Sequence, residues 1–308
     1  MINYKNITDL NNAILRNLHK IPRNIDLVVG IPRSGMLPAN LIALYLNLPY
    51  TDIDSFIEGR VYEVGKRKDF TRLGNQTYSN ILVVDDSVLA GAALARAKEK
   101  LETFNEKYNF LFCTVFQYPQ TQSLVDIYME LVDAPRIFQW NMFHHLTLSE
   151  ACVDIDGVLC VDPTEEENDD GERYIHFLKN AVPLYVPTIK IHTLVSCRLE
   201  KYRKLTEEWL KKNNIEYDNL VLLDLPDKQA RTAWGKYGEY KAKVYGESNC
   251  CLFIESSLTQ AQVIAQVTHK DVFCIETFDM INIPRPHLHT FWMRVKGKIK
   301  RTINSVRR

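Results

Sequence analysis

Apolar and polar positions along the chain fall into blocks with two different periods. Leu27 to Ile31, Ile81 to Val84 and Phe110 to Phe116 are short, nearly continuous apolar runs, the signature of strands covered on both faces. Thr51 to Ile53 is a further short strand. Between them the pattern turns helical. Thr8 to Lys20 opens on a capping hydroxyl and carries Leu10, Ile14 and Leu18 at helical spacing, Met36 to Leu46 is apolar throughout, and Gly91 to Phe104 forms the next helix. Glu58 to Asn75 has no apolar period. It holds three glycines among Arg60, Lys66, Arg67, Lys68 and Arg72, and reads as a basic loop.

A second alternation starts after a boundary near Met142 to Glu150. Its strands are Cys152–Val153, Ile189–Val195, Leu220–Leu223, Cys250–Ile254 and Val272–Ile275, with a helix over Leu199 to Asn213. The acidic stretch from Glu165 to Asp170 reads as a solvated insertion. The implied fold class is α/β, with two domains (1–146 and 147–284), each an open, mostly parallel sheet with flanking helices. In a third segment, 285–308, Phe291, Trp292, Val295, Ile299, Ile303 and Val306 recur every three or four residues among bases. It reads as a basic amphipathic helix suited to an anionic membrane surface.

Composition narrows the function classes. The 308 residues are 46% hydrophobic and 25% charged, with a net charge of zero, so the whole molecule lacks a nucleic-acid signature. From Arg285 onward, however, there are eight bases and no acid. Seven cysteines include no Cys-x-x-Cys pair, so they read as small buried hydrophobes in a reducing cytoplasm. No run approaches the ~18 apolar residues of a membrane span.

The run Ile81 to Val84 ends in Asp85 and Asp86, followed by Ser87, Val88, Leu89, Ala90, Gly91, Ala92 and Ala93 and then a helix. Paired carboxylates at a strand end suit ribose hydroxyls or a metal, and an amide-lined turn opening a helix suits a phosphate. One βαβ unit earlier, Gly30, Ile31, Pro32, Arg33, Ser34 and Gly35 form a second glycine-bounded turn with one cation. The two motifs, with the basic loop between them, resemble the type I phosphoribosyltransferases. That resemblance implies a 5-phosphoribosyl-1-pyrophosphate (PRPP) site. Asp85 and Asp86 would hold the ribose, residues 87–93 the 5-phosphate, and residues 30–35 the pyrophosphate with Mg²⁺. Lys66 and Arg67 would close on the leaving group. The chain departs from the family at Ala90 and Ala93, where hydroxyl residues are usual.

Asp154, Ile155, Asp156 and Gly157 follow the second domain's first strand, and Ser196, Cys197 and Arg198 end its second. Lys241, with Lys243 as rival, and Glu255 come later. The order resembles the four motifs of haloacid dehalogenase phosphatases. The resemblance implies Asp154 as nucleophile and Asp156 as acid and base. Ser196, Cys197, Arg198 and Lys241 would bind the phosphate, and Mg²⁺ would sit on Asp154, Asp156 and Glu255. Only a small flap fits between Asp156 and Ser196, without a large cap.

The two resemblances together are similar to phosphoribosyltransferase–phosphatase fusions of bacterial polysaccharide biosynthesis. They imply a bifunctional enzyme that transfers 5-phosphoribosyl from PRPP to a glycan or lipid-linked glycan, then removes the 5-phosphate. The place implied is the cytoplasm, peripheral on the inner face of its membrane. Two alternatives stand beside it: a base phosphoribosyltransferase fused to a nucleotidase in salvage, and a PRPP- or nucleotide-sensing module with a phosphatase domain. The acceptor hood falls in residues 1–24 and 117–145, where Gln139, Trp140, His144 and His145 read as core packing.

Overall fold

The computed structural model describes residues 1–62, 64 and 78–281. The chain divides into two compact units, Met1–Met142 and Phe143–Arg308. Lys66, Arg67 and the basic segment 285–308 lie outside the described residues. No helix among those described is long and apolar enough to cross a membrane.

The first unit opens with β1 (Asn3–Lys5) and α1 (Ile7–Asn17). The cap of α1 is Asn6, not Thr8. Asn6 accepts from the Asp9 amide and Asp9 accepts from the Asn6 amide, satisfying two end donors reciprocally. There follow β2 (Leu27–Gly30), α2 (Met36–Leu46), β3 (Tyr50–Asp52), α3 (Ile53–Ile57), β4 (Asn80–Val88), α4 (Ala92–Leu101), β5 (Asn109–Gln117), β6 (Ile127–Leu131) and β7 (Arg136–Phe138). Five strands form one parallel sheet in the order β3-β2-β4-β5-β6, and β1 pairs with β7 in a small parallel ladder.

Burial explains the continuous apolar runs. Leu82 and Val84 of β4 pack with Ile14, Ala39 and Ile42 of α1 and α2. Ile81 and Val83, one step out of phase, pack with Ile53, Phe56, Leu94 and Ala97 of α3 and α4. The sheet therefore has helices on both faces. β4 is longer than its apolar run. It carries both acids inside the ladder, because β5 runs beside it and pairs Asp85 with Thr114 and Val88 with Gln117.

The second unit contains β8 (Ala151–Val153), α5 (Glu172–Asn180), β9 (Ile191–Leu199), α6 (Arg203–Lys212), β10 (Tyr217–Leu223), α7 (Lys228–Trp234), α8 (Tyr237–Glu247), β11 (Leu252–Glu255), α9 (Leu258–Thr268), β12 (Asp271–Cys274) and β13 (Asp279–Met280). Its sheet runs β10-β9-β8-β11-β12-β13, parallel except for β13. Ala242 and Tyr245 of α8 and Ile264 and Ala265 of α9 cover one face above Cys152, Val195 and Phe253.

The acidic insertion is more ordered than a solvated run. Asp169 accepts from the amides of Gly171 and Tyr174 at the start of α5. Asp170 pairs with Lys201 and accepts from the Tyr202 hydroxyl.

Strand order locates a crevice in each unit. In an open α/β sheet, ligands bind beyond the carboxyl ends of the strands where the order reverses. In the first unit the chain goes from β2 outward to β3 and then back to β4 on the other side. The crevice lies between the ends of β2 and β4. In the second unit β8, β9 and β10 build one way and β11 and β12 the other, so it lies between β8 and β11.

Candidate functional site

At the first crevice, the turn after β2 and the end of β4 are held together by backbone. The Ile31 amide donates to Val84 O at 2.9 Å. Gly35 is so close to this junction that a Cβ there would meet Ile31 O at 2.6 Å, Val84 O at 2.7 Å and Asp85 Oδ1 at 2.9 Å. Only glycine fits. Pro32 and Arg33 are exposed, and the Pro32–Arg33 peptide is cis. α2 starts after Gly35 with no side-chain cap; its first amides, Met36 and Leu37, donate to the carbonyls of Arg33 and Ser34 in the turn, and Pro38 has no N–H.

Asp85 and Asp86 are 5% and 4% exposed. Burial pushes the Asp85 carboxyl up to about 8, with the Asp86 charge adding to the effect. Asp85 Oδ1 accepts from the Asp86 amide. Asp86 Oδ2 accepts from the Trp140 indole N–H at 2.7 Å. Trp140, read from sequence as packing, thus reaches the acid pair. A tryptophan shortly after an apolar strand carries no signal of that reach by itself. Beyond the acids, Leu89, Ala90 and Ala92 are exposed, and Gly91, at φ +81°, opens α4 with no side-chain cap. Ala90 and Ala93 offer no hydroxyl, and within 87–93 the side-chain hydroxyl is that of Ser87.

Mg²⁺ takes one or two carboxylates and completes its shell with substrate phosphates and water. Asp85 and Asp86 fit that requirement, since a cation would offset the repulsion that raises Asp85.

At the second crevice, Asp154 follows β8 and Glu255 ends β11. Lys241, on α8, donates to Asp154 Oδ2 at 2.6 Å and to Glu255 Oε2 at 2.7 Å. All three are nearly sealed from solvent, and Lys243 is exposed. Burial raises the Asp154 carboxyl, opposed by the Lys241 charge. Lys241 is itself held above its ordinary value by the two carboxylates despite burial. The choice between the two lysines falls to Lys241.

A pocket of about 280 Å³ opens above this group. Asp154, Asp156, Ser196, Cys197 and Lys241 line it, together with Asp162, Asn168 and Arg231, which sequence reading did not single out. Asp162 sits in the flap, eight positions past Asp154. Its carboxyl is raised by burial and then by the Asp156 charge. Gly157, at φ +73°, lets the flap approach: a Cβ there would meet Ser256 Cβ at 2.5 Å and Asp162 Oδ2 at 2.8 Å.

Two residues sit differently from the sequence expectation. Arg198 is 1% exposed and is not among the lining residues. Its guanidinium takes both oxygens of Asp156, at 2.7 to 3.2 Å, and also reaches Cys160 and Thr206. Glu255 is turned from the cavity. Oε2 accepts from Lys241, and Oε1 from Ser256 Oγ and the Ser257 amide. Among the described residues no three His, Cys, Asp or Glu side chains are grouped to hold a metal ion.

Residues 3–147 match the family model of the phosphoribosyl transferase domain. The first unit carries a phosphoribosyltransferase domain. A search of curated proteins gives no match. Among solved structures, the chain is similar to the xanthine-guanine-hypoxanthine phosphoribosyltransferase of Helicobacter pylori. Identity is 16% and the TM-score 0.33, over 46% of this chain and 92% of that one. It is also similar to a purine phosphoribosyltransferase of Pyrococcus horikoshii, at 20% identity and TM-score 0.33, over 45% and 92% of the two chains. The orotate phosphoribosyltransferase of Aeropyrum pernix follows at 17% identity and TM-score 0.29, over 40% and 70%.

Proposed function

We propose that the chain is a bifunctional enzyme that transfers 5-phosphoribosyl from PRPP to a glycan hydroxyl and then removes the 5-phosphate. In the transfer, Asp85 and Asp86 face the ribose and stabilise the positive charge that builds on it as pyrophosphate leaves. The amides of residues 30–35 receive the pyrophosphate, and those of 87–93 the 5-phosphate. Asp85 or Asp86 would hold a Mg²⁺ ion, which would supply charge neutralisation for the leaving group. The acceptor hydroxyl attacks the anomeric carbon as the bond to pyrophosphate breaks, its proton passing to a nearby carboxylate or to the departing pyrophosphate, and displacement at an α-configured donor with inversion yields a β-ribofuranoside.

The observation that carries the second activity is Asp154 on the pocket floor, with Lys241 at 2.6 Å. A phosphate monoester entering there meets a carboxylate nucleophile beside a fixed cation. Asp154 attacks phosphorus to form an aspartyl-phosphate, and Asp156 protonates the departing sugar oxygen. Asp156 then takes a proton from water, which hydrolyses the phosphoenzyme. Arg198 aims Asp156 through both its oxygens. These roles are those of a haloacid dehalogenase-type phosphatase.

The glycan acceptor rests on the pairing of the two chemistries in one chain. A transfer that leaves a phosphate on the installed sugar calls for its removal when the final glycan carries plain ribofuranose. The test incubates full-length enzyme with PRPP, Mg²⁺ and either free nucleobases or lipid-linked glycans, following pyrophosphate, phosphate and pentose incorporation. A pentose gained by the glycan, with one pyrophosphate and one phosphate released, is the expected result. Conversion of a base to its nucleoside overturns the glycan assignment.

A further inference from the structure

Trp140 belongs to the turn that follows β7. Its ring lies 5.1 Å from that of Phe138 at an interplanar angle of 12°, and Phe138 lies 5.5 Å from Phe116 at 15°. Three aromatic planes are thus stacked nearly parallel beside the end of β5. The stack is clamped from several directions. Arg136 lies over the Phe138 ring and donates to Phe116 O at 3.3 Å, and Lys5 of β1 lies over the Phe116 ring. Gln139, next to Trp140, accepts from the Ile7 amide at 2.8 Å, and Asn141 accepts from the Phe138 amide.

An indole so held has little freedom, and its single polar atom is spent on Asp86 Oδ2. An aspartate has two rotatable bonds, and within β4 the Asp86 carboxylate meets the Asp85 carboxyl, itself a movable side chain. A donor on a rigid ring fixes it. Bonds from a fixed donor to a carboxylate are short and directional, as the 2.7 Å separation is here. Positioning of this kind removes side-chain freedom before substrate arrives, which lowers the cost of binding and of reaching the transition state.

We propose that Trp140 is a positioning residue of the transferase site, whose indole N–H fixes the Asp86 carboxylate in the orientation that receives the ribose of PRPP. The inference rests on the reading of Asp85 and Asp86 as the ribose-holding acids. It adds a residue from the far end of the unit to that site. It also gives the short β1–β7 ladder a task, since that ladder holds the aromatic stack in place.

The experiment measures PRPP binding to the full-length protein by calorimetry in Mg²⁺ for four proteins: wild type, Trp140→Phe, Asp86→Asn and the double variant. Trp140→Phe keeps a ring in the stack and removes only the donor, so the fold is retained. Loss of one charge-assisted hydrogen bond predicts affinity weakened about tenfold. The double variant is expected to bind no worse than Asp86→Asn alone, because the indole acts through that carboxylate. Trp140→His, which returns a ring N–H, is expected to recover part of the loss. Fully multiplicative losses in the double variant, or unchanged binding in Trp140→Phe while Asp86→Asn is weakened, overturn the positioning role alone. Absence of PRPP binding by the wild type, or unchanged binding in Asp86→Asn, overturns the ribose reading and this inference with it.

Discussion

Lys241 sits between Asp154 and Glu255 with its ammonium 2.6 Å from the first carboxylate and 2.7 Å from the second. One cation is shared by two buried acids, so removing it strands two charges where water cannot reach. Lys241→Met is expected to eliminate phosphatase activity and to lower stability by about 3 kcal/mol or more. Lys243→Met, on the exposed side of the same helix, is expected to change neither. Thermal unfolding and phosphate release from a phosphorylated ribose substrate check both. Comparable effects from the two variants would show that the Lys241 bridge has no special role.

Asp85 makes stability depend on pH with a definite sign. Its folded-state carboxyl is pushed up to about 8 from an ordinary value of 3.8. Between those values the folded protein holds a proton that the unfolded chain has released, so stability falls as pH rises from about 4 to about 8. Asp162, also raised, acts in the same direction. Melting temperatures taken at pH 5, 6, 7 and 8 without ligand should decline. The decline should be shallower in Asp85→Asn. An identical slope in the variant would mean that Asp85 is not the strained acid.

Gly35 offers a purely steric test. Two of the three atoms that crowd its missing Cβ are backbone carbonyls, which cannot turn away as a flexible side chain would. Gly35→Ala is expected to spread the β2 turn from the end of β4 and cut PRPP affinity at least tenfold, about 1.4 kcal/mol. Hydrolysis in the other unit should be unaffected. Wild-type affinity in this variant would show that the turn need not touch β4 to bind the donor.

The glycine turn after β2 and the carboxylates that follow the apolar runs were legible because each puts a local signal in a local place, although β4 runs on through Asp85 and Asp86 to Val88. A run of four β-branched or leucine residues followed at once by Asp85 and Asp86 needs no tertiary information to suggest a strand edge. What the residues could not announce is where a side chain points once packed. Arg198 follows Ser196 closely enough to look like a phosphate contact, yet the sheet turns it to Asp156, 42 positions earlier. Trp140 looks like core and is core on its face, but its edge reaches across the fold to Asp86. Asp162 and Arg231 reach the pocket at Asp154 from the flap and from α7, which no spacing connects to Asp154. β6 and β7 went unread because neither is a continuous apolar run: Glu130 interrupts the first, and Arg136 opens the second.

Arg198 tests whether that buried pair serves Asp156. The guanidinium is sealed, and Asp156 retains a side-chain exposure of 21%. Arg198→Met would keep the packing against Phe177 in part and remove the guanidinium donors to Asp156, leaving the Cys160 thiol at 3.5 Å. Because the remaining acid can still reach water, the loss of stability should fall near the low end for broken buried pairs, about 3 kcal/mol. Phosphate release should drop more than phosphate-ester binding, since Asp156 acts on protons and not on the ground-state phosphate. A rise in KM with kcat unchanged would instead place Arg198 in direct contact with substrate.

The order of the two reactions yields the last prediction. Asp154 is the carboxylate lining the pocket that is bonded to Lys241, and an amide in its place can keep one of its two accepted hydrogen bonds, from Lys241 or from the Ile155 amide, while losing nucleophilicity. Asp154→Asn should therefore fold, bind PRPP as the wild type does and release pyrophosphate when a competent acceptor is supplied. Its product should retain the 5-phosphate, and mass spectrometry should find it heavier by one phosphate than the wild-type product. Adding an unrelated phosphomonoesterase should bring the two masses together. Asp85→Ala should behave in the opposite way, releasing no pyrophosphate yet hydrolysing the phosphorylated product purified from the Asp154→Asn reaction. A dephosphorylated product from pure Asp154→Asn enzyme would mean that Asp154 is not the nucleophile. Loss of both activities in either single variant would mean that the two crevices do not work as separate sites.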